Sequence, residues 1–261
     1  LERLSKADEI RDIVYINGHV NKKCFITYGI EFKEFYHSLP TPLANILLLK
    51  HGFEDSDYHY QTHMDYVEEE QIHLLAEDDV YNYGDFCWID FEDVSSLDLL
   101  EPQDIAALLY LGHLKKPLNS PFNNKLGNQF VYLAHDDGFY NKIYFRDVYD
   151  MKHILSRIIP LKMSEIKQKR FVFRRKKLEY PILPLVLANT LLTLTNDGLF
   201  IDFEHMVQSR RDIKIPLYTI GDFDDMNEMY NDRFEHKEMS KLQAHLVLTH
   251  KELEWSIEEV Q

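Results

Sequence analysis

The stretch His135-Asp136-Asp137-Gly138-Phe139-Tyr140-Asn141 separates two alternating apolar runs, at 130–134 and 142–146. An Asp-Gly pair between two such runs predicts a β-hairpin with a tight turn. With Asp137 and Gly138 at the centre of the turn, His135 pairs with Tyr140, and one face of the hairpin becomes apolar. The side chains on that face, which we expect to be buried, are Phe130, Tyr132, Ile143 and Phe145.

The opposite face of this hairpin is the first candidate site. His135 suits a general base that Asp136 or Asp137 would orient, and Tyr140 suits a proton donor. Nearby cations would bind an anionic group, and these are Lys142, Arg146 and, at the end of a preceding helix, His113. The alternative is structural, because a tight turn needs Asp and Gly and a His-Tyr pair is ordinary cross-strand packing.

Apolar residues at helical spacing predict three helices around the hairpin. The first covers 41–52, which has a Thr-Pro start and a glycine at its end. The second begins at Pro102. The third covers 151–158 and ends at Pro160, because proline lacks the N–H that a helix interior needs.

A second hairpin is predicted at 191–203, where an Asp-Gly pair again separates two alternating runs. Further strands are expected at 85–91 and 213–220, because both segments are rich in branched and aromatic residues. Two segments, 56–76 and 242–260, fit helix and strand patterns equally well, and the sequence leaves them open.

The predicted fold class is α+β, with antiparallel hairpins at about 130–146 and 191–203 packed with several amphipathic helices. We divide the chain into an N-terminal α+β domain at 1–165 and a C-terminal α+β region at 178–261, which is either separate or part of the same globule. Between them, 166–177 is a basic linker or an edge strand, because it holds seven basic residues and no acid from Lys167 to Lys177.

Composition limits the classes of partner. A net charge of −15 disfavours binding to DNA or RNA, whose phosphates attract positive charge. The basic stretch from Lys167 to Lys177 is the exception, since its cations and aromatic residues suit contact with bases or with an acidic protein surface. Two cysteines without paired spacing, no long apolar run and no signal peptide predict a cytoplasmic protein that does not enter a membrane. Its compactness favours a bacterial-type protein.

A histidine-rich segment at 59–73 is the second candidate site. On a helix, His59, His63 and Glu70 would share one face and could bind a divalent metal such as zinc. On a strand, the two histidines would be roughly 13 Å apart, at about 3.3 Å per residue, and could not share one ion. The prediction of a metal site therefore depends on helical structure in this segment, and no other cofactor is predicted.

Motifs of the common enzyme classes are absent from the sequence. It has no Gly-x-Ser-x-Gly elbow and no glycine-rich phosphate loop, and the acidic run at 222–232 lacks the spacing of an EF-hand. We therefore expect a binding or regulatory module for a protein or a small molecule, and enzymatic activity stays undecided. Two alternatives are a metal-assisted hydrolase that uses the His/Glu cluster and an acidic inhibitor or immunity-like protein that binds a basic partner.

Overall fold

The computed structural model describes residues 13–50, 52–78, 80, 83–114, 116–135, 138, 140–170, 179–221 and 241–260, without the side chains of 13 and 167–170. The helices in these ranges are α1 (Phe32–Ser38), α2 (Glu69–Glu77), α3 (Pro102–Leu114), α4 (Val148–Arg170) and α5 (Leu185–Leu194). The first seven strands are β1 (Ile13–His19), β2 (Cys24–Tyr28), β3 (Asn45–Leu48), β4 (Asp57–His59), β5 (Met64–Glu68), β6 (Phe86–Phe91) and β7 (Phe130–His135). The next six are β8 (Tyr140–Phe145), β9 (Leu199–Asp202), β10 (Val207–Gln208), β11 (Asp212–Thr219), β12 (Lys241–Thr249) and β13 (Trp255–Glu259).

The thirteen strands in the described ranges form one sheet, in the order β13-β12-β11-β9-β1-β2-β8-β7-β6-β3-β5-β4, with β10 paired to β11. Neighbouring strands run antiparallel, so the predicted α+β class with antiparallel strands is confirmed. Strands from both predicted parts of the chain meet in this sheet, because β1 pairs with β2 on one side and with β9 on the other. The domain division itself stays a prediction.

Helices cover parts of both faces of the sheet. On one face, α1, α2, α4 and α5 pack over a hydrophobic cluster that includes Trp88, Tyr132 and Leu191. On the other face, α3 packs through Leu108 against a second cluster that includes Leu133. Because successive side chains of a strand point to opposite faces, β7 contributes to both clusters.

The hairpin around residues 135–141 has the predicted register. His135 pairs with Tyr140, and Tyr132 pairs with Ile143. Gly138 has a φ of 80°, a conformation that favours glycine in a tight turn. The four side chains expected in the core are all buried, namely Phe130, Tyr132, Ile143 and Phe145. This hairpin prediction is therefore confirmed, and it lies near the middle of the sheet.

The helix predicted at 41–52 is wrong. Residues Asn45–Leu48 form β3, a fully buried strand between β5 and β6. Ile46 joins the cluster on one face of the sheet, and Leu47 joins the cluster on the other. A strand buried on both faces shows a continuous apolar run, and a run of that length does not distinguish a strand from a buried helix.

The second hairpin, predicted at 191–203, is also wrong. Its first half belongs to α5, whose buried side carries Ala188, Leu191 and Leu192. Its Asp-Gly pair ends a 3₁₀ turn, with Gly198 at a φ of 69°. Its second half is β9, which pairs with β1 and β11. Leucines that alternate over a few residues also recur at helical spacing, so the alternation alone was not decisive.

The third helix does not end at Pro160 as predicted, because α4 continues to Arg170. A proline inside a helix leaves the carbonyl four residues earlier without its donor, and here that carbonyl belongs to the buried Ser156. The backbone N–H of Leu183 donates to this carbonyl at 2.9 Å, so the hydrogen bond is replaced from outside the helix. The predicted linker at 166–177 thus begins inside α4, and its residues 171–177 lie outside the described residues.

The segments that the sequence left open are assigned by the structure. Residues 56–76 contain β4, β5 and most of α2, and residues 242–260 contain most of β12 and all of β13. The strands predicted at 85–91 and 213–220 and the helix from Pro102 are confirmed. Within the described ranges, no helix is both long and apolar enough to cross a membrane.

The junction of β9 with the end of β11 depends on Gly198. A Cβ at Gly198 would lie 1.7 Å from the carbonyl oxygen of Gly221, whereas a Cβ at Gly84 meets nothing within 4 Å. Both glycines have positive φ, 69° and 65°, so alanine at either position carries the same backbone strain of about 1–2 kcal/mol. We expect Gly198→Ala to lower the free energy of unfolding in urea by at least about 2 kcal/mol more than Gly84→Ala. Equal losses would contradict this close contact.

Candidate functional site

The structure brings together two residues of the predicted hairpin site. The rings of His135 and Tyr140 have centroids 5.0 Å apart, as their pairing across the two strands requires. Lys142 follows on the same face, and its Nζ lies 5.6 Å from the centroid of the Tyr144 ring. The acidic residues that would orient His135 lie outside the described residues, namely Asp136 and Asp137.

Arg146 lies away from the pair formed by His135 and Tyr140, and no hydrogen bond or ring contact joins His113 to that pair in the described part of the chain. Arg146 is six residues beyond Tyr140, which corresponds to about 20 Å along an extended chain. Its Nε donates to the carbonyl of Asn128 at 2.7 Å, and its guanidinium lies 5.2 Å from the centroid of the Phe122 ring. His113 is exposed in the last turn of α3, which packs on the same face of the sheet as the pair. Catalysis on this face stays a prediction.

The histidine-rich segment 59–73 does not form the single helix that the predicted metal site required, because its first part belongs to the β4–β5 hairpin and its last part to α2. His59 ends β4, and its Nε2 lies 3.3 Å from Oδ1 of Asp98. His63 has a φ of 57°, and its Nδ1 lies 2.7 Å from the hydroxyl of Tyr58. Glu70 is exposed in the first turn of α2. These residues therefore have three separate environments, and the shared helical face does not form.

In the described part of the chain, one group of side chains has metal-ligating atoms close together, and it lies elsewhere in the sequence. One ligand atom from each of Asp202, Glu204 and His205 lies within 4.8 Å of the others. Nδ1 of His205 lies 2.8 Å from Oδ2 of Asp202, and the backbone N–H of His205 donates to Oδ1 at 3.0 Å. These contacts are typical of a turn closed by an aspartate, so the grouping is explained without a metal. The acidic run at 222–232 lies outside the described residues.

A buried ion pair joins α1 to α4, and the sequence analysis did not identify it. The ammonium of Lys162 contacts the carboxylate of Glu34, with both side chains at most 6% exposed. Burial first, and then the charge of Glu34, raise the pKa of the neighbouring Glu165 to about 7. Because one lysine cannot neutralise two carboxylates in a weakly solvated place, a proton is retained there near neutral pH. The cluster fastens the two helices together.

A cavity of about 550 Å³ lies where β1 ends. It is lined by Gly18 and His19 of β1, by the 3₁₀ turn Val20–Lys22, by the first turns of α4, and by the last turns of α5 with Asn196 beyond it. A Cβ at Gly18 would lie 2.0 Å from Oγ1 of Thr195, so only glycine allows β1 and the end of α5 to approach this closely. The volume falls in the range of small-molecule sites, about 300–1,000 Å³.

The side chains around this cavity are mostly cations and hydrogen-bond donors. The described residues that line it include Lys22 and Lys152 but no residue with a carboxylate. In the described ranges, neither ammonium makes an ion pair, whereas Lys33, Lys125 and Lys214 each pair with an acidic side chain. The other polar lining side chains are His19, Asn21, Asn189, Thr193 and Asn196, and the apolar ones are Val20, Val148 and Leu192.

The two helix ends at the cavity contribute little net potential. The start of α4 carries about half a positive charge and the end of α5 about half a negative one, so the two largely cancel. The carboxylate of Asp147 also accepts from the N–H of Tyr149 at 2.8 Å, which further reduces the positive end of α4. The two lysine ammonium groups are therefore the formal charges that the described lining itself carries.

Comparison with protein-family models, with curated proteins and with solved structures gives no match for this chain. The cavity was also missed by the sequence analysis, because its lining comes from three segments that are distant along the chain, 18–22, 148–152 and 189–196. No spacing motif links them. The function has to be inferred from the chemistry of the cavity.

The Glu165 carboxyl gives a pH test of the cluster between α1 and α4. Its pKa is raised from 4.5 to about 7 in the folded protein, so the folded state holds this proton more tightly than the unfolded chain. Stability from this group is therefore present at low pH and is lost as the pH rises from about 4.5 to about 7. The wild type loses this stability as the pH rises, and Glu165→Gln does not. The difference in free energy of unfolding, Glu165→Gln minus wild type, should therefore increase by on the order of 2 kcal/mol from about pH 5 to about pH 8.

The exposed Glu70 supplies the control for this measurement, because Glu70→Gln makes the same chemical change away from the cluster. Urea unfolding of the three proteins over that pH range compares them directly. A Glu165→Gln protein whose pH dependence follows that of the wild type would contradict the proposed proton retention.

Proposed function

We propose that this chain is a binding module that holds a small-molecule ligand in the cavity beside β1. The proposal depends mainly on the lining of the cavity. In the described part of the chain, the side chains of Lys22, Lys152, Asn21 and Asn189 have no protein partner. Polar groups that converge on a concave site beside an apolar wall are the groups that orient a small ligand. The absence of common catalytic motifs from the sequence favours binding over reaction.

The frame of the cavity supports this proposal, because it is held by the hydrophobic core. Met151 of α4 and Ala188 and Leu191 of α5 are completely buried, and the two helices pack against each other. Leu192 belongs to the same core and also lines the cavity. A site on such packed elements loses little conformational entropy when it binds a ligand.

A variant that fills the cavity tests this function. Thr193 is exposed and lines the cavity, so tryptophan there takes up ligand space without entering the core. Thr190, one turn earlier on α5, is equally exposed, makes the same type of hydrogen bond to the carbonyl four residues before it, and does not line the cavity. In a thermal-shift screen of small metabolites, ligands should stabilise the wild type and Thr190→Trp but not Thr193→Trp.

The outcome that contradicts the proposal is equally specific. Ligands that stabilise all three proteins to the same extent would place the binding site outside the cavity. A screen in which nothing distinguishes Thr193→Trp from its control would remove the cavity as the functional site.

The distribution of charge favours a second candidate function, an inhibitor or immunity-like protein that binds a basic partner. Residues 51–114 contain 17 Asp and Glu residues and no Lys or Arg, so the rest of the chain has a net charge of +2. This segment builds β4, β5, β6, α2 and α3, at the end of the sheet opposite β13. A field of one sign over such a surface accelerates association with an oppositely charged protein.

Replacement of three exposed acids on this surface tests the second candidate. A basic protein that co-purifies at low salt should dissociate at high salt. Its binding should also be weakened when glutamine replaces Glu68, Glu69 and Glu70. The control carries the same number of changes near the other end of the sheet, at Glu252, Glu254 and Glu259. Equal retention by both variants would contradict a role for the acidic surface.

A further inference from the structure

The charges around the cavity indicate what its ligand carries, provided that the cavity is the ligand site proposed above. We infer that the recognised group is a phosphate attached to a small organic molecule. Lys22 and Lys152 approach the cavity from different elements, the 3₁₀ turn after β1 and the second turn of α4. Because none of the described lining residues carries a carboxylate, a neutral or cationic ligand would leave two ammonium groups without a counter-charge there.

Lysine favours phosphate over carboxylate in this setting. Planar carboxylates are bound most specifically by the two-pronged guanidinium of arginine, and none of the lining residues that the structure describes is an arginine. A lysine ammonium is a compact charge that binds phosphate oxygens without a planar match. The amide groups of Asn21 and Asn189 add single donors from two further positions. Donors that arrive singly from several elements suit a tetrahedral group with three terminal oxygens.

The acidic residues of the described chain lie outside the lining of the cavity. The described lining residues all lie outside the acidic segment 51–114, in the part of the chain with a net charge of +2. Three acids lie close in sequence without lining the cavity, namely Asp147, Asp150 and Asp197. Of these, Asp147 is engaged as a hydrogen-bond acceptor at the start of α4.

The apolar part of the lining requires more than a free phosphate ion. Val20, Val148 and Leu192 form an apolar surface beside the lysines, and the cavity of about 550 Å³ has room for an organic group against it. Burial of that group contributes roughly 25 cal/mol per Å² of apolar surface removed from water. The ligand class is therefore a phosphate monoester, which binds more tightly than inorganic phosphate.

Calorimetric titration at constant ionic strength tests this inference with three probes, which are phenyl phosphate, inorganic phosphate and benzoate. The wild type should bind phenyl phosphate more tightly than either of the others. Lys22→Gln and Lys152→Gln should each weaken phenyl phosphate by about tenfold or more, because each removes a charge-assisted hydrogen bond. Lys116→Gln, which removes an exposed lysine outside the cavity, should leave its Kd unchanged.

Each contrary result has a separate meaning. Phenyl phosphate that binds equally to the wild type and to both lysine variants, or does not bind the wild type, overturns the phosphate inference. If benzoate binds as tightly as phenyl phosphate and depends on the two lysines to the same extent, the recognised group is a carboxylate and the phosphate inference is wrong. If Thr193→Trp abolishes ligand binding but Lys22→Gln and Lys152→Gln do not change it, the cavity remains the binding site and only the phosphate inference fails. Phenyl phosphate that binds Thr193→Trp as well as the wild type overturns both proposals.

Discussion

Strand β1 is hydrogen-bonded along both edges, to β2 through residues 15–19 and to β9 through residues 13–16. Without this double pairing the sheet would divide, and each buried backbone group left unpaired would cost about 1–3 kcal/mol. The same strand ends at the cavity, where the absence of a side chain on Gly18 allows the end of α5 to lie close to it. The continuity of the sheet and the shape of the candidate site therefore depend on one strand.

Sequence patterns predicted those parts of the fold whose signals are local. The hairpin around 135–141 was correct in register because one pair, His135 with Tyr140, and a period of two determine every other cross-strand pair. The prediction failed for 45–48, where burial on both faces removes the alternation. It also failed at Pro160, because the donor that replaces the lost hydrogen bond comes from Leu183, in a distant segment. Such compensation is visible only after the chain has folded.

The candidate site was less predictable than the fold. The pairing of His135 with Tyr140 follows from the hairpin and was expected, but the lysines of the cavity belong to no motif and are brought together only by the tertiary structure. The uneven distribution of charge along the sequence is one signal that points to these lysines. Residues 51–114 contain all of the chain's excess negative charge, so basic groups that converge elsewhere without an acidic partner are notable in a chain with a net charge of −15.

A phosphate-like anion bound between Lys22 and Lys152 can be located directly in a crystal. Tungstate is a tetrahedral dianion whose heavy atom scatters anomalously, so it marks a phosphate position without ambiguity. If phosphate binds in the cavity, crystals grown with tungstate should show an anomalous peak there. The tungstate oxygens should lie about 3 Å from both ammonium groups. An anomalous map with tungstate bound only at other places, and none in the cavity, would contradict it.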